Sequence, residues 1–339
     1  NWADRRLILC TNVVDRSLVW SFDERKIRGR WNMVGHAMLR AGVWHMLFLL
    51  SGAAGTAARA QSADYTFHVF KASRKMSQTL VAKNAAGAKL FQIEPSGGVS
   101  SCLLMQGKSR IVIRDPGGAL TQCTGLGSNG GVVGWYGAAN AMPPYTGFAY
   151  LNGAYADVVP GVTNPVWGST VNAVSPNGLM AGMYLASDNS YPIFLTYGST
   201  YTYVEQSGVT ILDATGVNDD GVLVAQEVFD TLWGEQVNSV LIVDGAGSPI
   251  AFPGAGGATL ARAINDKGDV VGYYYDAQEV PHGFLYSSTK NAYFGPIDVP
   301  GAAQTVLVGI TKDDQVTGTA VFPGSETSQA VIGYPASRH

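Results

Sequence analysis

Lysine and arginine are few in this chain, and beyond position 61 they never cluster. Residues 62–339 hold 13 Lys/Arg against 21 Asp/Glu, a formal charge of −8. Neutralising phosphates takes basic side chains, so this argues against nucleic acid as a partner. Cysteine is nearly absent too. Cys102 and Cys123 remain after the upstream Cys10, too few for a disulfide-built scaffold. One bridge and two separate thiols both suit the sequence. Some 278 residues can bury a full core without one. Histidine over this span is limited to His68, His282 and His339, far apart, which leaves a zinc site or a Ser-His-Asp triad without support. There is no G-x-S-x-G elbow, no amphipathic helix after residue 62, and no transmembrane segment in the expected mature chain.

The first sixty residues differ from the rest. They carry nine Lys/Arg against four Asp/Glu, and four of the seven Trp. From Met33 the text reads as a secretory leader: Arg40, an apolar run over Val43–Leu50, then small residues ending in Ala58-Arg59-Ala60. That triplet is an A-x-A cleavage site, so residues 33–60 are expected to be removed near Ala60–Gln61, placing the product outside the cell or in the periplasm. Residues 1–32 show no periodic apolar pattern and are set apart from the fold. A single domain is expected over 61–339.

That domain repeats. The clearest unit is Ala263-Ile264-Asn265-Asp266-Lys267-Gly268-Asp269-Val270-Val271-Gly272-Tyr273, with a near copy over Gly216–Ala225 and weaker ones over Ala173–Gly182 and Gly125–Gly134. Worn copies lie at Asn84–Gly87 and Gly309–Gly318. The equivalent positions Gly87, Gly130, Gly178, Gly221, Gly268 and Asp314 are 43, 48, 43, 47 and 46 residues apart. Such a period is that of a four-stranded propeller blade. Each unit reads as an apolar strand, a tight Asn/Asp/Gly turn, an alternating strand, and two more strands ending in Pro-Gly. The spacing predicts an all-β, six-bladed propeller with units near 78–118, 119–164, 165–208, 209–257, 258–303 and 304–335. The last unit stops one strand short, and a lone strand, Tyr65–Phe70, precedes the first. It is expected to complete the sixth blade and close the ring.

Residues 259–301 resemble the bacterial HAF family of extracellular repeat proteins. The resemblance rests on Ile264, Asn265, Gly268, Val270, Val271, Gly272 and Tyr273, then His282-Gly283-Phe284, then Asp298, Pro300 and Gly301. It fades elsewhere: this unit alone keeps the histidine, and Asp314 replaces the turn glycine in the sixth. The resemblance implies secretion and a repeat fold, and transfers no catalytic residue.

Several patterns suggest chemistry. Gly125-Leu126-Gly127-Ser128-Asn129-Gly130 spells a dinucleotide fingerprint, but it sits in the repeat's hairpin with a strand following, where that motif needs a helix. The acidic turns Asn218-Asp219-Asp220, Asn265-Asp266 and Asp313-Asp314 lack the ligand spacing of a calcium loop and fall where the chain must turn. No cofactor or metal is therefore expected. Aromatic rings stack on sugars, which makes Trp135, Trp167, Trp233, Tyr184 and Tyr274 the candidate ligand-binding residues. Trp135 and Tyr273 share a repeat register and also suit packing between blades. The stretch Gln226–Val237 reads as the longest irregular segment, a solvated loop bearing Glu227, Asp230, Trp233 and Glu235. Paired carboxylates beside an aromatic ring are also what a glycosidase uses. The expected function is a secreted, monomeric, non-catalytic propeller binding a glycan or another envelope component. A polysaccharide hydrolase or lyase with its site at the channel mouth is the alternative, and a purely structural repeat protein the third reading.

Overall fold

The computed structural model describes residues 60–61, 64–71, 75–115, 117, 120–137, 145–161, 168–186, 190–204, 210–231 and 234–336. The segment 1–32 and the leader up to residue 59 lie outside them. The chain divides into Asn1–Ala54 and Gly55–His339, and every described residue belongs to the second unit.

The described residues form strands and no helix. After β1 (Tyr65–Phe70) come β2 (Met76–Lys83), β3 (Lys89–Pro95), β4 (Ser101–Gln106) and β5 (Ser109–Ile113), the first blade. The second is β6 (Leu120–Leu126), β7 (Val132–Gly137), β8 (Thr146–Leu151) and β9 (Ala154–Val158). The third is β10 (Gly168–Val174), β11 (Met180–Leu185), β12 (Ile193–Tyr197) and β13 (Thr200–Val204). The fourth is β14 (Thr210–Val217), β15 (Leu223–Thr231), β16 (Gly234–Val243) and β17 (Ala246–Ile250). The fifth is β18 (Thr259–Ile264), β19 (Asp269–Tyr275), β20 (Pro281–Ser287) and β21 (Ala292–Ile297). The sixth holds β22 (Gln304–Ile310), β23 (Val316–Val321) and β24 (Gln329–Pro335), with β1 as its fourth strand. Each sheet is an antiparallel meander, and the first strands adjoin in the cycle β2, β6, β10, β14, β18, β22 and back to β2. The protein is a six-bladed β-propeller, closed as the sequence predicts: β1 pairs with β24 from Tyr65 opposite Pro335 to Phe70 opposite Ala330.

The repeat motif has a distinct job at each position. Every first strand bulges at one equivalent place, after Leu80, Cys123, Val171, Ala214, Ala261 and Leu307, and β14 shifts register a second time, after Ile211. In four blades the residue opposite the bulge is glycine. A β-carbon on Gly134, Gly182, Gly272 or Gly318 would lie 2.0–2.1 Å from a carbonyl oxygen of the first strand. In blades two, three and five that glycine also faces a phenylalanine of the third strand, Phe148, Phe194 or Phe284, each with no exposed surface. Burying each ring is worth about 1.5–3 kcal/mol. The apolar clusters lie between neighbouring blades: one joins Ala173 and Ile193 to Ala214 and Val240, another joins Val271 and Ile297 to Leu307 and Val316.

The turns between first and second strands form a belt. Each closes with a backbone bond from its glycine or Asp314 to a residue three positions earlier, in the left-handed conformation that such a three-residue hairpin loop needs. Asn84, Asn218 and Asn265 each accept from the N–H four residues on and donate Nδ2 to a turn carbonyl of the next blade. Ser128 N–H to Pro176 O, Asn177 N–H to Asp219, and Lys83 Nζ to Gln315 Oε1 carry the belt around the remaining junctions. The acidic turns thus hold blades together. Cys102 on β4 and Cys123 on β6 are bridged, Cα to Cα 6.2 Å, a covalent link from blade one to blade two.

Candidate functional site

The first strands surround the propeller axis, and three of them bring charged or amide side chains together. Asp213 on β14 accepts a hydrogen bond from Asn172 Nδ2 on β10. Arg262 on β18 is close enough for its charge to act on Asp213. Asn172 and Arg262 are equivalent residues, each the extra residue of its strand's bulge. Asp213 is half-buried as a residue, yet protein atoms surround its carboxyl. Burial pushes its pKa up to about 6, although Arg262, Asn172 and the Ala214 N–H favour the anion. A carboxyl held this far above its usual range is typical of functional sites.

Directly opposite Asp213 in the ladder stands Gln226 on β15. Gln226 is 1% exposed, and neither its amide oxygen nor its nitrogen has a hydrogen-bond partner. Thr170 Oγ1, two residues before Asn172, is also buried and unpartnered. Buried polar atoms normally find partners, so an unpartnered amide opposite the Asp213 carboxyl needs a reason. Blade one shows the ordinary arrangement. There Gln92, in the position of Gln226, donates to Thr121 O and accepts from Cys123 N–H of the next blade. In blade four Ser239 Oγ takes over those duties, donating to Thr259 O and accepting from Ala261 N–H. Gln226 fills buried volume but makes none of the hydrogen bonds that Gln92 makes.

Blade four also departs from the repeat in length. Its second and third strands have nine and ten residues, where those of the other blades have five to seven. The segment after Gln226, expected as an irregular loop, is a regular hairpin paired as far as Thr231 opposite Gly234. Glu227 is half-buried there, and Asp230 pairs with Glu235 in register. The side chains of Asp230 and Glu235 lie outside the described residues, as do Trp167 and Trp233.

Trp135 is half-buried with its ring 4.7 Å from that of Tyr145. It and Tyr273 occupy the same second-strand register, opposite Gln122 and Leu260. Tyr184 is buried against Tyr203. Tyr274 is buried and stacks on Phe252 at 4.0 Å, joining blade five to the end of blade four. Beside Tyr274, His282 is held on both nitrogens: Nδ1 lies 2.8 Å from Asp298 Oδ2 and Nε2 3.3 Å from Asp276 Oδ2. Among the described residues no group of His, Cys, Asp and Glu is arranged to hold a metal ion.

Sequence reasoning passed over Asn172, Asp213, Gln226 and Arg262. One signal was present. No lysine or arginine occurs between Arg114 and Arg262, and Arg262 breaks an apolar first strand, Leu260-Ala261-Arg262-Ala263-Ile264.

No protein-family model matches the chain, and no curated protein does. Solved structures similar to it include a mutant of AofleA from Arthrobotrys oligospora, at 12% identity and TM-score 0.41, covering 84% of this chain and 98% of that one. The Aleuria aurantia lectin is similar at 9% identity and TM-score 0.43, covering 78% and 96%. A gluconolactonase from Xanthomonas campestris follows at 11% and 0.44, covering 83% and 98%. The chain spans 42% of a prolyl endopeptidase and 59% of a Trypanosoma rangeli sialidase to which it is also similar.

Proposed function

We propose that the chain is exported, its leader removed near Ala60–Gln61, and that the mature propeller is a binding module for a polyhydroxylated ligand, a glycan or another envelope component. Its ligand meets the protein at the axis between blades three and five, with the long hairpin of blade four beside it. The observation that carries this reading is Gln226, buried without hydrogen-bond partners opposite Asp213, the carboxyl that Asn172 bonds and on which the Arg262 charge acts. A hydroxyl both donates and accepts, which matches a site offering an amide, a hydroxyl, a carboxyl and a guanidinium. Binding sites on rigid scaffolds favour a few convergent polar groups, and variable loops carry specificity. The Cys102–Cys123 bridge suits an oxidising compartment.

The test is a glycan array probed with the mature protein and with Gln226→Leu. Leucine fills a similar volume and removes two unsatisfied polar atoms, so the variant should melt at or above the parent while losing at least tenfold in affinity. An array without hits, or hits indifferent to Gln226→Leu, overturns the reading. A polysaccharide-active hydrolase is favoured by one feature, the burial that raises the Asp213 pKa to about 6, towards the range of a general acid. Turnover of array hits, abolished by Asp213→Asn, would decide for it.

A further inference from the structure

We propose that the face carrying the turn belt is an interface on which two copies of this chain meet about a twofold axis. Strands of a meander alternate in direction, so first-to-second and third-to-fourth turns emerge at the same end of every blade. At that end one repeat position holds four of the eight exposed large apolar side chains among the described residues. They are Leu151, Tyr197 and Val243, each opening the turn into the fourth strand, and Tyr334, which follows the partner of Val316. Tyr197 is 65% exposed and the others 39–42%. Blades one and five have Gln106 and Ser287 there. Apolar surface gathered in this way marks a contact with another molecule.

Charge selects the occupant. The first strands follow one another around the axis, so blade one stands opposite blade four. At the belt end blade one carries Lys83, Lys89, Lys108 and Arg110 and no acid. Blade four carries Asp219, Asp220 and Asp244 there and no base. A cationic partner is repelled by the first end and an anionic surface by the second. A second copy offers both signs. A twofold axis lying in the face, perpendicular to the line from blade one to blade four, sets blade one of each copy over blade four of the other. It also sets blade two over blade three, so Leu151 of one copy meets Tyr197 of the other, twice. Such an isologous contact is self-complementary and closes at two subunits. The long hairpin of blade four joins second to third strand and projects from the opposite end, clear of the contact.

Sedimentation equilibrium of the protein purified from an exporting host reads the association directly. The parent should dimerise at about 0.1 M salt and largely dissociate at about 1 M, as the screening length falls from about 10 Å to about 3 Å. Asp220→Lys gives blade four the residue that blade five already has at that turn position, Lys267, so the fold tolerates it. It and Tyr197→Glu should each raise the dissociation constant by about tenfold or more, with Tm unchanged. Val112→Glu, on the outer strand of blade one at a side chain 62% exposed, should change nothing. A parent that stays monomeric at every concentration overturns the proposal. So does a dimer that both belt-face variants leave intact, or one that Val112→Glu also dissolves.

Discussion

Lys267 of the fifth blade reaches the carboxylate of Asp314 in the sixth at 2.9 Å, and Asp314 is the residue that replaces the turn glycine of the other five blades. Its φ is 60°, a left-handed conformation that costs an L-residue about 1–2 kcal/mol. Aspartate tolerates it better than most, and here Asn265 Nδ2 adds a second bond across the junction at 3.2 Å. Asp314→Ala keeps the strain and loses both bonds, so it should cost about 1–2 kcal/mol. Asp314→Gly loses the bonds but relieves the strain, and should stay within about 1 kcal/mol of the parent. Urea melts of both variants check the order. An alanine variant as stable as the glycine one would show that the junction contributes nothing.

Ring closure depends on β1, which supplies the outer strand of the sixth blade. Phe67 and Val69 pack against the cluster of Val299, Ala320 and Val331. Deleting Tyr65–Phe70 uncovers the β24 edge and part of that cluster. The loss should reach several kcal/mol, a fall in Tm on the order of 10 °C. A synthetic peptide of the deleted sequence should restore part of it by strand addition. A deletion variant that melts like the parent contradicts closure by β1.

The Cys102–Cys123 bridge closes a loop with a sequence separation of 21. Chain-entropy arguments give such a loop about 3 kcal/mol. Replacing both cysteines by alanine should lower Tm by roughly 6–12 °C, and reductant should do the same to the parent and nothing to the variant. Alkylation of both thiols in the native protein, with no reductant present, would show the bridge absent.

Much of the architecture was legible because the repeat writes its turn chemistry into the chain. Gly130, Gly178, Gly221 and Gly268 recur where a left-handed residue is needed, and the unfinished last unit pointed to β1. The hairpin of blade four was not legible: Gln226-Glu227 interrupts the alternation that marks a strand with one buried face. Nor was the cysteine pairing, since a sequence separation says nothing of whether two Cα atoms come within bridging distance. The axial cluster escaped for a related reason. Asn172, Asp213 and Arg262 lie on three successive repeats, 41 and 49 residues apart, so no local motif joins them. Repeats hide their exceptions, and Gln226 becomes informative only beside Gln92, whose amide has partners.

His282 ties the turn after β19 to the connection after β21, through Asp276 on one side and Asp298 on the other. Burial opposes its positive charge, but the carboxylates of Asp298 and Asp276 outweigh it, and the pKa rises above 6.5. A raised histidine binds its proton more tightly folded than unfolded. Its contribution to stability is therefore complete below about pH 6.5 and fades as pH rises through the folded value. Asp276 works in the opposite sense. Backbone N–H groups of Val280 and Gln278, with His282, lower its pKa, so its contribution disappears as pH falls through that lowered value. The clamp is strongest between the two, in the mildly acidic range. His282→Gln keeps a hydrogen-bonding side chain without the charge. Its Tm should trail the parent's most near pH 5–6, and the gap should narrow steadily above pH 7. A gap that stays constant from pH 5 to pH 9 would mean that His282 acts by shape alone and that its charge contributes nothing to the blade.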